Sequence, residues 1–295
     1  MTLLSIGDRV LPGTYRLHSR FQRVVNLRDG DRLISVVDRE IGAGPINVVV
    51  WGLDLTEIRS LSLDCGTLDL DGRWSSVAPV LIYDSALHVG AGLPVAFEER
   101  LALFGRLLCE TSNPKSLAFL LDRRRETQFR PGFERALMRR LSHGVATIFS
   151  GNLTDGAAIV RGCGFGLTPS GDDFLAGLLI AMRILERIFC TDLHNAVEAV
   201  YESSRSGNML TDTLLALAKD GRLTERMRDL IVALLHGTAH EIRGCTERLM
   251  QIGETSGADL GTGLYMTMRS RRSFLRHACH HAPADTFSLH EEVTK

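Results

Sequence analysis

One segment occurs twice in the chain, and this repeat constrains the fold more than any other feature of the sequence. Thr168–Arg183 aligns without gaps on Glu254–Arg269, and both copies fit the pattern S-G-x-D-x-x-x-G-L-x-x-x-M-R. Apolar residues recur at helical spacing in the first copy and its continuation, so we predict a helix that starts at each motif. Two copies are too few for a solenoid. The repeat therefore predicts two helices that begin alike and lie side by side.

The rest of the chain divides into a β-rich part and a helical part. Short runs of β-type residues, broken by turn residues, extend from Arg23 to Leu81, whereas helical periodicity dominates after Pro94. We therefore predict an α+β fold with a β-rich N-terminal domain, residues 1–90, that forms a small sandwich or barrel. It packs on a mainly helical domain, residues 91–282, and the polar residues 283–295 form a flexible tail.

Periodicity places the helices of the second domain. The predicted helical segments are Val95–Cys109, Ser116–Leu121, Gly132–Leu141, Asp173–Phe189, Leu193–Ser203, Leu210–Ala218, Thr224–Leu235 and Leu260–His277.

Charge and hydropathy argue against two classes of partner. The chain has 34 Lys and Arg against 35 Asp and Glu, without the basic stripe that neutralises nucleic-acid phosphates. The longest apolar run, Phe174–Met182, is far shorter than the about 20 residues that span a bilayer, and the N-terminus does not resemble a signal peptide. We predict a cytoplasmic protein that binds neither nucleic acid nor membrane.

The serine and the acidic residue of each copy have the spacing of a helix capping box. In such a box Ser170 or Ser256 would bond a backbone amide of the first turn, and Asp173 or Asp259 would reach back to the cap. A cap of this kind contributes about 1 kcal/mol to stability. It accounts for the serine and for the matching aspartate, but not for the glycines.

The glycines in and before the repeat need a separate explanation. Four lie within the two copies: Gly171, Gly177, Gly257 and Gly263. A glycine inside a helix costs about 1 kcal/mol relative to alanine, and close helix packing at Gly177 and Gly263 would explain that cost. Three more precede the first helix as G-x-G-x-G: Gly162, Gly164 and Gly166. Glycines beside a helix N-terminus with free amides are typical of an anion site.

Asp172 is not needed for a capping box, and its charge would repel an anion at the helix start. Two explanations are open: Asp172 points into solvent, or Asp172 and Asp173 hold a Mg²⁺ ion that bridges to the anion. Both aspartates are therefore candidate catalytic residues and candidate metal ligands, and no other cofactor is predicted. The backbone amides of Gly171 and Asp172 are candidate anion donors. The candidate ligand-binding residues are Gly164, Gly166, Thr168, Ser170, Gly171, Ser256, Gly257 and Asp259.

Other groups are weaker candidates. His236 and His240, followed by Cys245, have a spacing that suits zinc on a helix, but the glutamate of H-E-x-x-H is absent. The cluster His277–His281 lies near the chain end, where a polar tail is the ordinary interpretation. His18, Arg20 and Arg23 of the β-rich part would supply cations to an anion site between the domains, although a solvated strand edge explains them equally well.

The sequence G-x-G-x-G-L-T-P-S-G-D-D-F-L-A-G, residues 162–177, resembles the signature of the AllH-like family, and the later S-G-x-D segment at Ser256 resembles that family too. Members of this family are encoded beside FdrA-type proteins, which are similar to acyl-CoA synthetases. The resemblance implies one subunit of an oxamate carbamoyltransferase assembly in purine (allantoin) catabolism. Its reaction converts oxalurate and phosphate to oxamate and carbamoyl phosphate. The implied partners are an FdrA-like subunit and another subunit encoded nearby.

Three functions remain open on the sequence. The chain is a carbamoyl-transfer subunit that binds a small anion at the GLTPSGDD helix start, a non-catalytic structural or regulatory partner of an FdrA-like protein, or a small-molecule hydrolase. It contains no convincing nucleophile, no G-x-S-x-G elbow and no Walker A motif. This fits a reaction in which phosphate itself attacks and the protein supplies positioning and charge stabilisation. The oligomeric state, including a homo-oligomer, is also open.

Overall fold

The computed structural model describes residues 1–164 and 168–279. Gly166 and the predicted tail, residues 283–295, lie outside the described residues. Within them, a β-rich N-terminal unit precedes a mainly helical region, which confirms the predicted α+β class. The change from strands to helices falls between Tyr83 and Phe97.

The N-terminal unit is a single mixed sheet. Its strands are β1 Thr2–Gly7, β2 Gly13–Arg20, β3 Val24–Asp29, β4 Arg32–Asp38, β5 Asn47–Trp51, β6 Ser60–Leu63, β7 Thr67–Leu70, β8 Arg73–Ser76 and β9 Leu81–Tyr83. They are ordered β8-β7-β6-β2-β3-β4-β5-β1-β9, with parallel pairing at β4–β5 and β1–β9 and antiparallel pairing elsewhere. The sheet curves into a half-barrel.

Helices dominate the rest of the described chain. They are α1 Phe97–Thr111, α2 Phe133–Phe149, α3 Leu153–Val160, α4 Ser170–Phe189, α5 His194–Ser204, α6 Met209–Lys219, α7 Glu225–His236, α8 Ala239–Met250, α9 Ser256–Arg269 and α10 Arg271–Cys279. A 3₁₀ turn, Leu117–Leu120, follows α1.

Periodicity located most of these helices but missed α3 and α8. Each contains a glycine, Gly156 or Gly244, which lowers intrinsic helix propensity. At α8 a capping box between Thr238 and Glu241 fixes the helix start. The predicted helix Leu260–His277 is also wrong, because α9 already begins at Ser256. A turn at Ser270 then separates α9 from a second helix, α10.

The interior strand β4 contacts both parts of the molecule. Ile34 and Val36 belong to the apolar core of the half-barrel, whereas Leu33 packs with Ile46 and with Leu210 of α6. Because successive side chains of a strand point to opposite faces, one face of β4 fills the β core and the other contacts the helical region.

The segment between α6 and α7 fastens the helical region to the sheet. The Leu223 amide donates to the Ser85 carbonyl at 2.8 Å, and the Tyr83 hydroxyl donates to the Leu223 carbonyl at 3.1 Å. Arg222 forms an ion pair with Asp8 at 3.1 Å. Hydrogen bonds and an ion pair thus fix the orientation of the helical region relative to the half-barrel.

Candidate functional site

Helices α4 and α9 touch along their backbones at two glycines. A Cβ atom on Gly177 would lie 2.0 Å from the Leu260 carbonyl oxygen, and one on Gly263 would lie 2.1 Å from the Phe174 carbonyl oxygen. Both distances are too short for any real Cβ atom, so only glycine fits. Phe174 and Leu260 occupy equivalent positions of the repeat, which makes the contact reciprocal. The predicted close helix contact of both glycines is confirmed.

A second pair of glycines, at equivalent positions of the repeat, lets each helix start pack closely on the helix before it. A Cβ atom on Gly171 would lie 2.1 Å from the carbonyl oxygen of Val160 at the end of α3. One on Gly257 would lie 1.9 Å from the carbonyl oxygen of Leu249 near the end of α8. These glycines therefore serve close packing between consecutive helices.

Backbone donors at the α4 start are already used within the chain. The Gly171 amide donates to the Cys163 carbonyl at 2.7 Å, and the Asp172 amide donates to the Pro169 carbonyl at 2.9 Å. The expectation that these two amides bind an anion is therefore wrong. Gly164 also serves packing, since its φ is +144° and a Cβ atom there would lie 2.2 Å from the Ser170 nitrogen.

The two motif serines are not capping residues. Helix α4 begins at Ser170 and α9 begins at Ser256, so Pro169 and Thr255 occupy the cap positions, and neither makes a side-chain cap bond. The capping-box prediction is wrong at both starts because each serine is the first helical residue. Its hydroxyl faces the start of the other helix.

Four hydroxyls from the two helix starts meet where α4 and α9 converge. Thr168 Oγ1 lies 3.0 Å from Ser256 Oγ, and Ser170 Oγ lies 3.4 Å from Thr255 Oγ1. Each pair joins a hydroxyl of one copy to a hydroxyl of the other. The repeat thus builds one shared polar surface.

Each hydroxyl pair lies close to a carboxyl group and lowers its pKa. We call the first group the Asp173 cluster, which consists of Asp173, Thr168 and Ser256. The second is the Asp259 cluster, which consists of Asp259, Ser170 and Thr255. In both clusters the carboxyl of one helix lies close to the serine that begins the opposite helix. The Oδ2 atoms of Asp173 and Asp259 are buried and have no hydrogen-bond partner among residues 1–164 and 168–279.

Burial raises the pKa of three carboxyls at these helix starts. The pKa of Asp259 rises to about 7, although the Leu117 amide donates to its Oδ1 at 2.6 Å. Burial and then the negative charge of Asp259 raise the pKa of Asp173 well above its usual range. The pKa of Asp172 rises to about 6, mainly through burial.

Asp172 anchors the glycine-rich segment. It is 2% exposed, which contradicts the expectation that it points into solvent, and its Oδ1 accepts a 2.7 Å hydrogen bond from the Gly162 amide. Asp173 instead faces the hydroxyls of its own cluster. In the described part of the chain, no three His, Cys, Asp or Glu side chains are placed to hold a metal ion. The described residues therefore do not fit the Mg²⁺ site that the adjacent aspartates suggested.

A cavity of about 270 Å³ opens at the two helix starts. Its polar lining consists of Lys115, Glu134, Gly164, Thr168, Ser170, Gly253, Glu254, Thr255 and Ser256, and its apolar lining consists of Phe21, Leu117, Phe119, Phe129, Leu137, Met138 and Leu141. Four of the predicted ligand-binding residues thus meet at one cavity: Gly164, Thr168, Ser170 and Ser256. The cavity lining does not include the predicted residues Gly171, Gly257, Asp172, Asp173 and Asp259.

The sequence did not predict the three charged residues of the cavity wall, Lys115, Glu134 and Glu254. Lys115 Nζ lies 2.7 Å from Glu134 Oε1, and this hydrogen bond lowers the pKa of Glu134. Lys115 lies outside the repeat and outside any helix, in a short segment after α1. The bond from the Leu117 amide to Asp259 holds this segment at the cavity, a long-range contact that has no local sequence signal.

The weaker candidates do not join the cavity. His236 and His240 line an open groove between α7 and α8, and the cluster His277–His281 lies partly outside the described residues. Arg20 donates to the Ile58 carbonyl and Arg23 pairs with Glu40, both within the half-barrel. Phe21, between these two arginines, lines the cavity instead.

Comparison with known proteins concerns the region that carries both helix starts. No solved structure matches the chain. None of the described helices is long and apolar enough to cross a membrane. Residues 160–268, from the end of α3 almost to the end of α9, match the model of a family described as oxamate carbamoyltransferase subunit AllH. Over these residues the chain is similar to the AllH family, the resemblance that the glycine-rich motif and the second S-G-x-D segment predicted.

Proposed function

We propose that the chain is a subunit of an oxamate carbamoyltransferase and binds its small anionic substrate in the cavity at the starts of α4 and α9. The observation that carries this proposal is the convergence of both repeated helix starts on one cavity within the family segment. The reaction implied by the family resemblance converts oxalurate and phosphate to oxamate and carbamoyl phosphate. A carbamoyl group and a carboxylate are therefore the groups to be recognised.

Three positive groups at the cavity favour a carboxylate ligand and oppose the charges of Glu134 and Glu254, which also line it. Two helix N-termini point toward it, and each carries a partial positive charge of roughly half an elementary charge. Lys115 adds an ammonium group at the wall, where Glu134 holds it in place. The carboxylate of oxalurate or oxamate would lie on this side of the cavity.

The size of the cavity supports a small substrate. Its volume of about 270 Å³ lies just below the range of about 300–1,000 Å³ that is common for ligand sites. We call the hydroxyls of Thr168, Ser170, Thr255 and Ser256 the floor hydroxyls. The apolar wall, which includes Phe119 and Phe129, would limit the access of water to them when a substrate is bound. Exclusion of water protects carbamoyl phosphate, for which hydrolysis is the competing loss.

The carbamoyl-transfer reaction requires the protein to position the substrate and to transfer a proton. Phosphate attacks the carbamoyl carbon, the bond from that carbon to the oxamate nitrogen breaks, and the nitrogen takes up a proton. We propose that Lys115, the charged donor at the cavity wall, supplies that proton. The floor hydroxyls orient the carbamoyl group. Asp173, predicted as a catalytic residue, acts through the hydroxyls of its cluster, and Asp172 acts only by holding the glycine-rich segment.

A reconstitution assay tests this proposal. The chain is purified alone and with the subunits encoded beside it, including an FdrA-like protein, and phosphate-dependent formation of carbamoyl phosphate from oxalurate is measured. We expect activity only from the assembled complex. The double change Ser170→Ala and Ser256→Ala should lower kcat/KM by roughly 100-fold, because two floor hydroxyls are lost.

Two outcomes would contradict the proposal. Full turnover by the single chain would exclude a role as a dependent subunit. Full activity of an intact complex that carries the double serine change would place the chemistry on a partner. The matched control is Ser150→Ala with Ser203→Ala, two serines away from the cavity, which should leave turnover unchanged.

A further inference from the structure

The lining of the cavity has a polar part and an apolar part, and oxalurate matches only the polar part. The polar residues come from the two helix starts and from the contact between Lys115 and Glu134, whereas α2, Phe21 and the segment after α1 supply apolar side chains. Every carbon atom of oxalurate carries oxygen or nitrogen, so this molecule has no hydrocarbon to place against the apolar side. Apolar surface gains free energy when it leaves water. The apolar lining therefore favours a substrate with a group that oxalurate lacks.

Phe21 is the lining residue that the packing of the chain does not explain. Phe119 and Met138 also belong to the core of the helical region, so that core accounts for them. Phe21 lies at the turn between β2 and β3, is 43% exposed, and belongs to none of the three apolar clusters of the described residues. An aromatic ring buries a large apolar area when it finds a partner. A hydrocarbon group in the cavity would be such a partner.

Helix α2 gives the cavity a charged end and an apolar end. Glu134, Leu137, Met138 and Leu141 line the cavity at spacings of three and four residues, so they share one face of the helix. Glu134 holds the Lys115 ammonium through a 2.7 Å bond at one end of this face, and Leu141 lies about 10 Å further along the helix axis. A ligand along this face would have its carboxylate near Lys115 and its hydrocarbon toward Leu141.

We infer that the cavity takes ureido carboxylates that carry a short hydrocarbon side chain, and that this side chain lies between Phe21 and the apolar face of α2. N-carbamoyl derivatives of apolar α-amino acids are the class that fits, because one carbon atom carries the carboxylate, the ureido group and the hydrocarbon. The carboxylate lies near Lys115 and the ureido group near the floor hydroxyls. This inference rests on the proposed function, which places both polar groups, and it names a wider class of substrate for the same site.

The transfer step for this class is balanced without a further reactant. An oxygen of hydrogen phosphate bonds the carbamoyl carbon, and the bond from that carbon to the α-nitrogen breaks. The nitrogen gains one proton and the phosphate loses one, so the products are carbamoyl phosphate and the free amino acid. Phe21 and the apolar face of α2 contact only the hydrocarbon, so they determine specificity and take no part in bond breaking.

Two probes of similar shape test the substrate class. N-carbamoylleucine and N-carbamoylasparagine share the carboxylate and the ureido group, but an amide replaces the two methyl groups in the asparagine probe. Calorimetry on the assembled complex gives the dissociation constant of each, with N-carbamoylglycine as the probe without a side chain. We expect the leucine probe to bind at least about tenfold more tightly than the other two, because each CH₂ group that leaves water tightens binding by about fourfold.

Two variants test where the hydrocarbon lies. Phe21→Ala removes an exposed ring from outside the apolar clusters, so the fold is retained. Leu137→Gln removes apolar surface on the α2 side with a residue of similar helix propensity. Each should reduce the preference for the leucine probe over the asparagine probe by roughly fivefold, and each should change the affinity for N-carbamoylglycine by less than about twofold.

Leu17→Ala is the matched control for Phe21→Ala. Leu17 lies on β2, close in sequence to Phe21, and is 40% exposed. In the described part of the chain it does not line the cavity. This change should leave the preference between the two probes unchanged.

The outcomes separate the inference from the function on which it depends. If the unaltered complex binds neither oxamate nor any N-carbamoyl probe, the proposed ligand of the cavity is wrong, and the inference fails with it. If oxamate binds but the leucine probe binds no more tightly than the asparagine probe, the inference alone is overturned. A preference that survives both Phe21→Ala and Leu137→Gln, or that falls equally in Leu17→Ala, overturns the position of the hydrocarbon between Phe21 and α2.

Discussion

Single side chains at the two helix starts perform tasks that their spacing in the sequence does not reveal. Ser170 and Ser256 have the spacing of caps, but the hydroxyl of each hydrogen-bonds a threonine at the start of the opposite helix. The capping pattern gives Asp172 no role, but its side chain is buried and accepts a hydrogen bond from the Gly162 amide. Which residue bonds which depends on the approach of α4 to α9, a tertiary feature, so the sequence could locate the site but not its hydrogen bonds.

The buried carboxyl of Asp172 makes stability depend on pH. Its pKa is about 6 in the folded chain because burial favours the neutral form; the nearby Asp212 raises it further, while Arg161 and the Gly162 bond lower it. An ordinary aspartate in the unfolded chain has a pKa near 4. The folded state therefore holds the proton more tightly, and this contribution to stability is present below about pH 4 and lost as pH rises through about 6.

Thermal unfolding at several pH values measures this effect. Relative to the unaltered chain, Asp172→Asn should gain roughly 2–5 °C in melting temperature between pH 5 and pH 8, because asparagine has no charge to bury. Asp155→Asn is the control, since Asp155 is exposed on α3. Parallel curves for the unaltered chain and Asp172→Asn would show that Asp172 titrates alike in the folded and unfolded states.

At the scale of elements, the paired helices α4 and α9 are the part of the fold that the sequence predicted best. The gapless repeat and the unexplained glycines indicated two similar helices in close contact, and the backbones do meet at Gly177 and Gly263. The sequence did not indicate that the short segment at Lys115 completes the cavity, because that segment has neither periodicity nor motif. Only the long-range bond from Leu117 to Asp259 brings it there.

Alanine substitutions at the helix contact test how much that approach matters. Gly177→Ala and Gly263→Ala each place a methyl group about 2 Å from a carbonyl oxygen, and backbone there cannot move aside without separating the helices. We expect each change to lower the free energy of unfolding by roughly 2–4 kcal/mol, as overpacking does. Chemical denaturation of the purified variants gives the values.

Gly244→Ala is the matched control for these two changes. Gly244 also lies inside a helix, α8, but the nearest atom to a new Cβ is the end of the Arg248 side chain at 4.0 Å. This change should stabilise the chain by up to about 1 kcal/mol, through helix propensity alone. Equal effects at all three glycines would mean that propensity, and not the close contact, determines the cost.

At the scale of the whole molecule, the half-barrel and the helical region share an apolar contact as well as polar ones. Leu33 and Ile46 of the sheet region bury their side chains against Leu210 of α6, on the face of β4 opposite the β core. Phe21 of the half-barrel lines the cavity that the helical region builds. The sequence showed a β-type pattern followed by a helical pattern, but it gave no indication of the surface along which the two parts meet.

This shared contact predicts that the two parts unfold together. Leu210→Ala removes a buried side chain from the contact and should lower the free energy of unfolding by roughly 2–4 kcal/mol. If the half-barrel and the helices form one cooperative unit, calorimetry and far-ultraviolet circular dichroism should give a single coincident transition, which moves to lower temperature in the variant. A variant in which the strands and the helices melt at separate temperatures would instead show two independent units. Phe21 would then line the cavity only through a weak docking of those units, and binding of oxamate should fall at the lower of the two transitions.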